Sequence, residues 1–314
     1  MTRPGRGVSR HCYDTVWRDT GARRREYGTA VTTTVEPPEH VRATYGLREL
    51  TPVALGDWEG GWRLGDVVLS PVADHARAAW SAKVRESLRV DGLRLARPVR
   101  ATDGRYVVSG WRCDTFMTGC PEPRHDEVVS VSLRLHKATA TLERPRFLSQ
   151  PPVTPWLDVD VFVAADRAAW EAVPLRTLRA AGAVMENSPD GRHSLELIGQ
   201  LATLRKPVRT PPQLVHGDLF GTVLFAGAQT PALTDLTPYW RPPAWAAGVI
   251  VVDALSWGGA DDGLLERWSD LPEWPQMLLR AVMFRLAVHV LHPRSTPEAL
   301  PGLVRTADMV RFLL

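Results

Sequence analysis

The tripeptide His216-Gly217-Asp218 constrains this chain more than any other stretch. Leu214-Val215 leads into it, Leu219-Phe220-Gly221-Thr222 follows, and the apolar run Val223-Leu224-Phe225 comes next. A second short run, Ala232-Leu233-Thr234, ends on Asp235. Short apolar runs around a polar loop and a turn predict a small hairpin, with both carboxylates at one end. Two acids so placed suit a site that binds a divalent cation and deprotonates a hydroxyl.

The rest of the chain is compatible with a soluble enzyme-sized protein. Its 314 residues are enough for one large domain or two lobes with cores of their own. No run approaches the length of a membrane span. Three cysteines, Cys12, Cys113 and Cys120, cannot build a disulfide framework, which favours a reducing cytoplasm. Nearly all basic residues are arginine, the lysines being Lys83, Lys137 and Lys206. The cluster Arg23-Arg24-Arg25 has no interleaved aromatics, so no nucleic-acid partner is expected.

Three regions follow from the pattern. Residues 1–36 lack periodicity and are expected to be a disordered extension, with Val31 an alternative start. Residues 37–119 read as a small α+β unit. It has a helix over 39–45, strands over 51–55, 62–64 and 67–69, and a helix over 74–90. In that helix Ala76, Ala79, Trp80, Val84 and Leu88 share the apolar face. Further strands over 94–99 and 106–109 complete it. Residues 120–314 read as mainly helical, over 125–142, 164–178, 195–204, 244–257, 275–290 and 303–313, with a turn at Pro189-Asp190-Gly191.

A strand-rich lobe, a connector ending at Gly119 and a helical lobe carrying His216-Gly217-Asp218 resemble the aminoglycoside phosphotransferase and choline kinase branch of the protein-kinase-like fold. Trp58-Glu59-Gly60-Gly61-Trp62, the stretch Val67 to His75, and Pro238-Tyr239-Trp240-Arg241-Pro242 look more narrowly like an uncharacterised actinobacterial family within that branch. The resemblance implies a two-lobed α+β fold, ATP and Mg²⁺ as cofactors, and a small-molecule hydroxyl as acceptor. By the same resemblance Asp218 is the catalytic base and Asp235 the metal ligand. Gly60 and Gly61 cover the phosphates, where only glycine lets the backbone come close. The connector Trp111 to Met117, with Trp111 and Thr115, presents its backbone to adenine. Asp253 braces the catalytic loop, and His216 holds that loop's geometry.

Two positions depart from the pattern. Ser70 stands where a lysine should grip the phosphates and pair with a helix glutamate, so Glu86 is left without its cation. Arg77, Lys83 or an arginine from elsewhere is needed to replace it. The loop after Asp218 is one residue short, and Thr222 stands where a metal-binding Asn is expected. Losing such contacts costs on the order of a hundredfold each in rate. The alternative reading is therefore a pseudokinase serving as a nucleotide sensor or protein scaffold. A third keeps the metal but performs other chemistry, such as nucleotidyl transfer. Tyr239-Trp240-Arg241-Pro242-Pro243 reads as a packed aromatic loop in preference to a substrate anchor.

Overall fold

The computed structural model describes residues 35–55, 61–150, 158–171, 176, 178 and 188–314. Gly60 and the expected extension up to residue 34 lie outside the described residues. Two units emerge from the packing. One runs to Glu122 and also contains Gly221–Leu236; the other holds Pro123–Phe220 and Thr237–Leu314.

The first unit is a sheet with two helices. Helix α1 (Glu39–Thr44) precedes strands β1 (Val53–Ala54), β2 (Trp62–Leu64) and β3 (Val67–Pro71). Helix α2 (His75–Ser87) follows, then β4 (Arg94–Leu95), β5 (Pro98–Val99), β6 (Val107–Val108) and β7 (Trp111–Thr115). The main sheet runs β1-β2-β3-β7-β5, with β6 also on β7, and all its pairs are antiparallel. Trp111 to Thr115 is thus a central strand rather than a connector. Ser109 and Gly110, both at positive φ (48° and 77°), turn β6 tightly back into it. One face of the sheet carries Leu69 and Cys113, paired across β3 and β7, and packs on Val41 and Tyr45 of the α1 region.

Helix α2 begins at an N-cap, Asp74, whose carboxylate accepts from the Arg77 amide at 3.0 Å. Its buried stripe is Ala78, Ser81, Ala82 and Arg85, not the apolar set read from periodicity. The reason lies in what the helix faces, which is a pair of carboxylates described below. The expected strand over 94–99 is two strands, because β5 joins the main sheet while β4 pairs in parallel with β9 (Ala232–Leu233).

The second unit is mainly helical: α3 (His125–Thr139), α4 (Asp158–Trp170), α5 (Pro189–Ala202), α6 (Pro243–Trp257), α7 (Leu264–Arg267), α8 (Trp274–Leu291) and α9 (Leu300–Arg311). Helix α8 is buried on every side and packs against α4, α5, α6 and α9. Pro189-Asp190-Gly191 is the first turn of α5, not a loop: Pro189 sits where no amide partner is needed, and Ser188 caps Gly191 at 2.9 Å. Strands β8 (Gln213–His216) and β10 (Pro238–Arg241) form a two-stranded antiparallel ribbon.

The single hairpin expected around His216-Gly217-Asp218 is therefore two separate pairings. β8 pairs with β10 in the second unit, and β9, just before Asp235, pairs with β4 in the first. Gly221–Leu236, which the sequence reading gave to the helical lobe, packs with the sheet unit.

Candidate functional site

In the second unit, the loop carrying Asp218 is fixed through its backbone. Thr139 Oγ1 donates to the Leu214 carbonyl (2.8 Å), and Gln213 Nε2 donates to the His136 carbonyl (2.6 Å). His136, 1% exposed, accepts the His216 N–H on Nε2 at 2.8 Å, so its own proton lies on Nδ1, facing Ser132 Oγ at 3.3 Å. Burial, with His216 as the second cause, pushes the His136 pKa down to about 3. His216 Nδ1 accepts the Asp218 amide at 3.0 Å. The His216 ring thus braces the loop. Gly217 is required by close packing: a Cβ there would lie 2.4 Å from the Tyr239 ring.

Behind Asp218 stands Arg285. Its guanidinium grips Asp253 on α6 with two hydrogen bonds, Nε to Oδ1 at 2.7 Å and Nη2 to Oδ2 at 2.5 Å. The same Nη2 is 3.7 Å from Asp218 Oδ1. Burial works against the charge of Arg285, but Asp253 and Asp218 outweigh it and raise its pKa. Asp253 thus acts on Asp218 through Arg285, a residue the sequence reading did not single out. Asp218 itself keeps 24% of its side chain exposed.

In the first unit, the face of the sheet opposite the apolar core is polar. Ser70 on β3 is paired with Arg112 on β7, and residues directly opposite in an antiparallel pair project to the same face. Asp114, two residues on, shares that face. Arg112 Nη1 donates to Asp235 Oδ2 at 2.5 Å, and its Nε lies 3.3 Å from Asp114 Oδ2. From α2, Ser81 Oγ donates to Asp235 Oδ1 at 2.6 Å, while Arg85 donates to Ser81 (3.2 Å) and Asp114 (2.8 Å) and lies 3.7 Å from Asp235. The Leu236 amide adds a bond to Asp235 Oδ1 at 2.8 Å. Burial would raise the Asp235 carboxyl, yet Arg112 first and Arg85 next hold it far below the usual range.

The cation missing at Ser70 is thus present on the neighbouring strand as Arg112. Neither Arg77 nor Lys83 takes that place: Arg77 pairs with Asp74 at 3.1 Å and Lys83 is exposed. Glu86 does not lack a cation either. Arg100 and the Tyr106 hydroxyl bond its carboxylate and pull its pKa down to about 2 on the solvent side of α2.

The remaining expected residues fall as follows. Gly61 sits at φ 115°, and a Cβ there would lie 2.7 Å from both the Leu69 carbonyl and Ser70 Oγ, so the backbone just before β2 lies directly against Ser70. Trp111 belongs to the apolar core, its carbonyl accepting the Tyr45 hydroxyl at 3.0 Å. Thr115 Oγ1 accepts the Arg97 amide at 2.9 Å and ties β7 to the chain before β5. Thr222 lies half-buried in a turn after Gly221. Arg241 is bound bidentately to Asp166 (2.8 and 2.7 Å) and lies over the Trp170 ring, as a packed aromatic loop requires.

The donor set around Asp235 does not fit Mg²⁺. Both of its oxygens already accept hydrogen bonds, and an approaching cation meets two guanidiniums. A like charge 4 Å away costs about 4 kcal/mol per unit charge at an effective dielectric constant near 20. Among the described residues no three of His, Cys, Asp and Glu gather as a metal cluster.

The fold defined by these two units is that of kinase-like phosphotransferases. A microcompartment-associated aminopropanol kinase is similar over 88% of this chain and 96% of its own, at 17% identity and a TM-score of 0.51. An aminoglycoside phosphotransferase in ternary complex with AMP-PNP and hygromycin B is similar over 86% and 96%, at 14% identity and 0.52. A spectinomycin phosphotransferase bound to AMP is similar over 87% and 96%, at 10% identity and 0.53. No protein-family model matches the chain, and no curated protein does. The chain therefore has the aminoglycoside-phosphotransferase-type fold, with a strand-rich first unit and a helical second one. No helix among the described residues is long and apolar enough to cross a membrane.

Proposed function

We propose that this protein is an atypical ATP-dependent phosphotransferase acting on a hydroxyl of a small molecule, with Asp218 as the group that takes the acceptor's proton. The observation that supports this best is the setting of Asp218. Its loop is fixed by His136 and His216, Arg285 lies 3.7 Å behind it, and about a quarter of its side chain is exposed, so a hydroxyl can reach a carboxylate held in a defined place. Solved structures of similar fold hold AMP-PNP or ADP with hygromycin B, ADP with spectinomycin, or AMP, and one is an aminopropanol kinase. ATP and a small polyol or amino alcohol are carried over from them. No step is assigned to Mg²⁺. The site of action on this reading is the cytoplasm, in keeping with Cys113 and Cys120 forming no disulfide among the described residues.

A second reading, a pseudokinase that binds nucleotide without transferring phosphate, is favoured by one observation: Asp235 is bound by Arg112 and Ser81 instead of being open to a metal. ATP consumption measured against a panel of amino alcohols and aminoglycosides, with ³¹P NMR of the products, separates the two. Transfer that falls about a hundredfold or more in Asp218→Asn supports the phosphotransferase. Nucleotide binding with no phosphorylated acceptor supports the pseudokinase.

A further inference from the structure

The Ser70 face of the sheet is rich in donors. Two guanidiniums, Arg85 and Arg112, meet two carboxylates, Asp114 and Asp235, in one connected network. Arg85 is wholly buried, yet its Nη2 has no hydrogen-bond partner. A buried donor left in this way is relieved by an acceptor oxygen, which an anion or water supplies and a metal cation does not. Ser70 adds a hydroxyl opposite Arg112, and Gly61 brings the β1–β2 backbone onto that hydroxyl. In kinases, phosphate charge in such a place is shared between a strand lysine and divalent metal. Here the lysine is absent and the acid that would hold the metal is bound to Arg112.

We propose that Arg112 replaces both: a nucleoside di- or triphosphate binds on the Ser70–Arg112 face without a divalent cation, and Asp235 orients the guanidinium. The assignment rests on the nucleotide binding that both functional readings share. Asp114 and Asp235 fix the guanidinium from two sides, so the phosphate meets a preorganised fork instead of a mobile side chain. The ligand exchanges no atoms with the protein, and only ion-pair partners change.

Thermal denaturation of the full chain with ADP, in EDTA and in MgCl₂, tests this. The expected result is an equal rise in midpoint in both buffers, lost in Arg112→Gln and reduced to the same extent in both buffers in Asp235→Asn. If Arg112→Gln does not fold, Arg112→Lys keeps the charge and is expected to show a weaker rise that is still independent of metal. A rise seen only with MgCl₂ and abolished in Asp235→Asn overturns the proposal while leaving nucleotide binding intact. No rise in any buffer overturns it together with the nucleotide reading. Mn²⁺ titration followed by EPR, without nucleotide, checks the metal half independently. Wild type is expected to hold no stoichiometric Mn²⁺, and a one-to-one site lost in Asp235→Asn overturns the proposal.

Discussion

Each unit presents one of the two expected carboxylates with a guanidinium beside it, and the two arrangements differ in what the arginine does. In the helical unit Arg285 spends its bidentate face on the buried Asp253 and touches Asp218 only at 3.7 Å. There the arginine lies behind an acid that keeps about a quarter of its side chain exposed. In the sheet unit Arg112 binds Asp235 directly at 2.5 Å, with Ser81 on the other oxygen. There the acid is held by the network and serves as part of it. The same pair of residue types thus gives a partly exposed acid in one place and an internal counter-ion in the other. The difference is which carboxylate takes the guanidinium's shortest bonds: Asp253 in the helical unit, with Asp218 at 3.7 Å, and Asp235 in the sheet unit, with Asp114 at 3.3 Å.

The largest expected effect comes from removing the arginine that separates these roles. Arg285→Met leaves Asp253 buried without its cation, and a loss of about 3–5 kcal/mol in unfolding free energy is expected by urea titration. A loss below 1 kcal/mol would mean that Asp253 is not held by this pair. Next, Gly217→Ala drives a Cβ into the Tyr239 ring and is expected to destabilise by about 1–3 kcal/mol. Tyr239→Ala in the same chain should recover part of that, and no recovery would place the strain elsewhere.

The His136 brace predicts a pH dependence. Its folded pKa, near 3, lies below the ordinary histidine value, so the unfolded chain binds the proton more readily. This contribution is fully present above about pH 6.5 and is lost as pH falls toward 3, by up to about 1.4 kcal/mol per pH unit. His125 and His289 are lowered by burial too and act in the same sense. The quantity to measure is therefore the difference between wild type and His136→Gln at pH 7 and pH 5, with the variant expected to lose less. The smallest effect is expected on the solvent side of α2, where Arg100→Ala should leave the thermal midpoint nearly unchanged because Arg100 and its partner Glu86 are both exposed. A large drop there would show that the exposed pair carries the helix.

The sequence was legible where chemistry is local. Helix α2 starting after Asp74, α6 and the strongly apolar α8 follow from local pattern and composition. His216-Gly217-Asp218 marked a loop whose own geometry is partly local, His216 Nδ1 accepting the Asp218 amide two residues on. Reading failed where distant residues decide. Periodicity assigned Ala76, Trp80 and Val84 to the inner face of α2, since nothing nearby announces that Asp114 and Asp235 wait on the other side. Ser70 read as a missing lysine because Arg112 is more than forty residues away and becomes its neighbour only through strand register. Arg285 was invisible for the same reason: one of two arginines in a mostly apolar helix, it gains meaning only from Asp253 and Asp218. One signal was available in principle, namely a charged residue at a position where the helical pattern demands an apolar one.

The parallel pairing of β4 with β9 has a practical consequence for anyone who cuts the gene. Gly221–Leu236 returns to the sheet unit from nearly a hundred residues downstream of Glu122, and brings Asp235, the bridge partner of Cys120 at Phe225, and the edge of β4 with it. A fragment ending at Glu122 would expose that edge and leave Arg112 and Arg85 facing one carboxylate instead of two. A faithful excision of this unit calls for grafting residues 221–236 back through a short linker, a rearranged chain order rather than a shorter one.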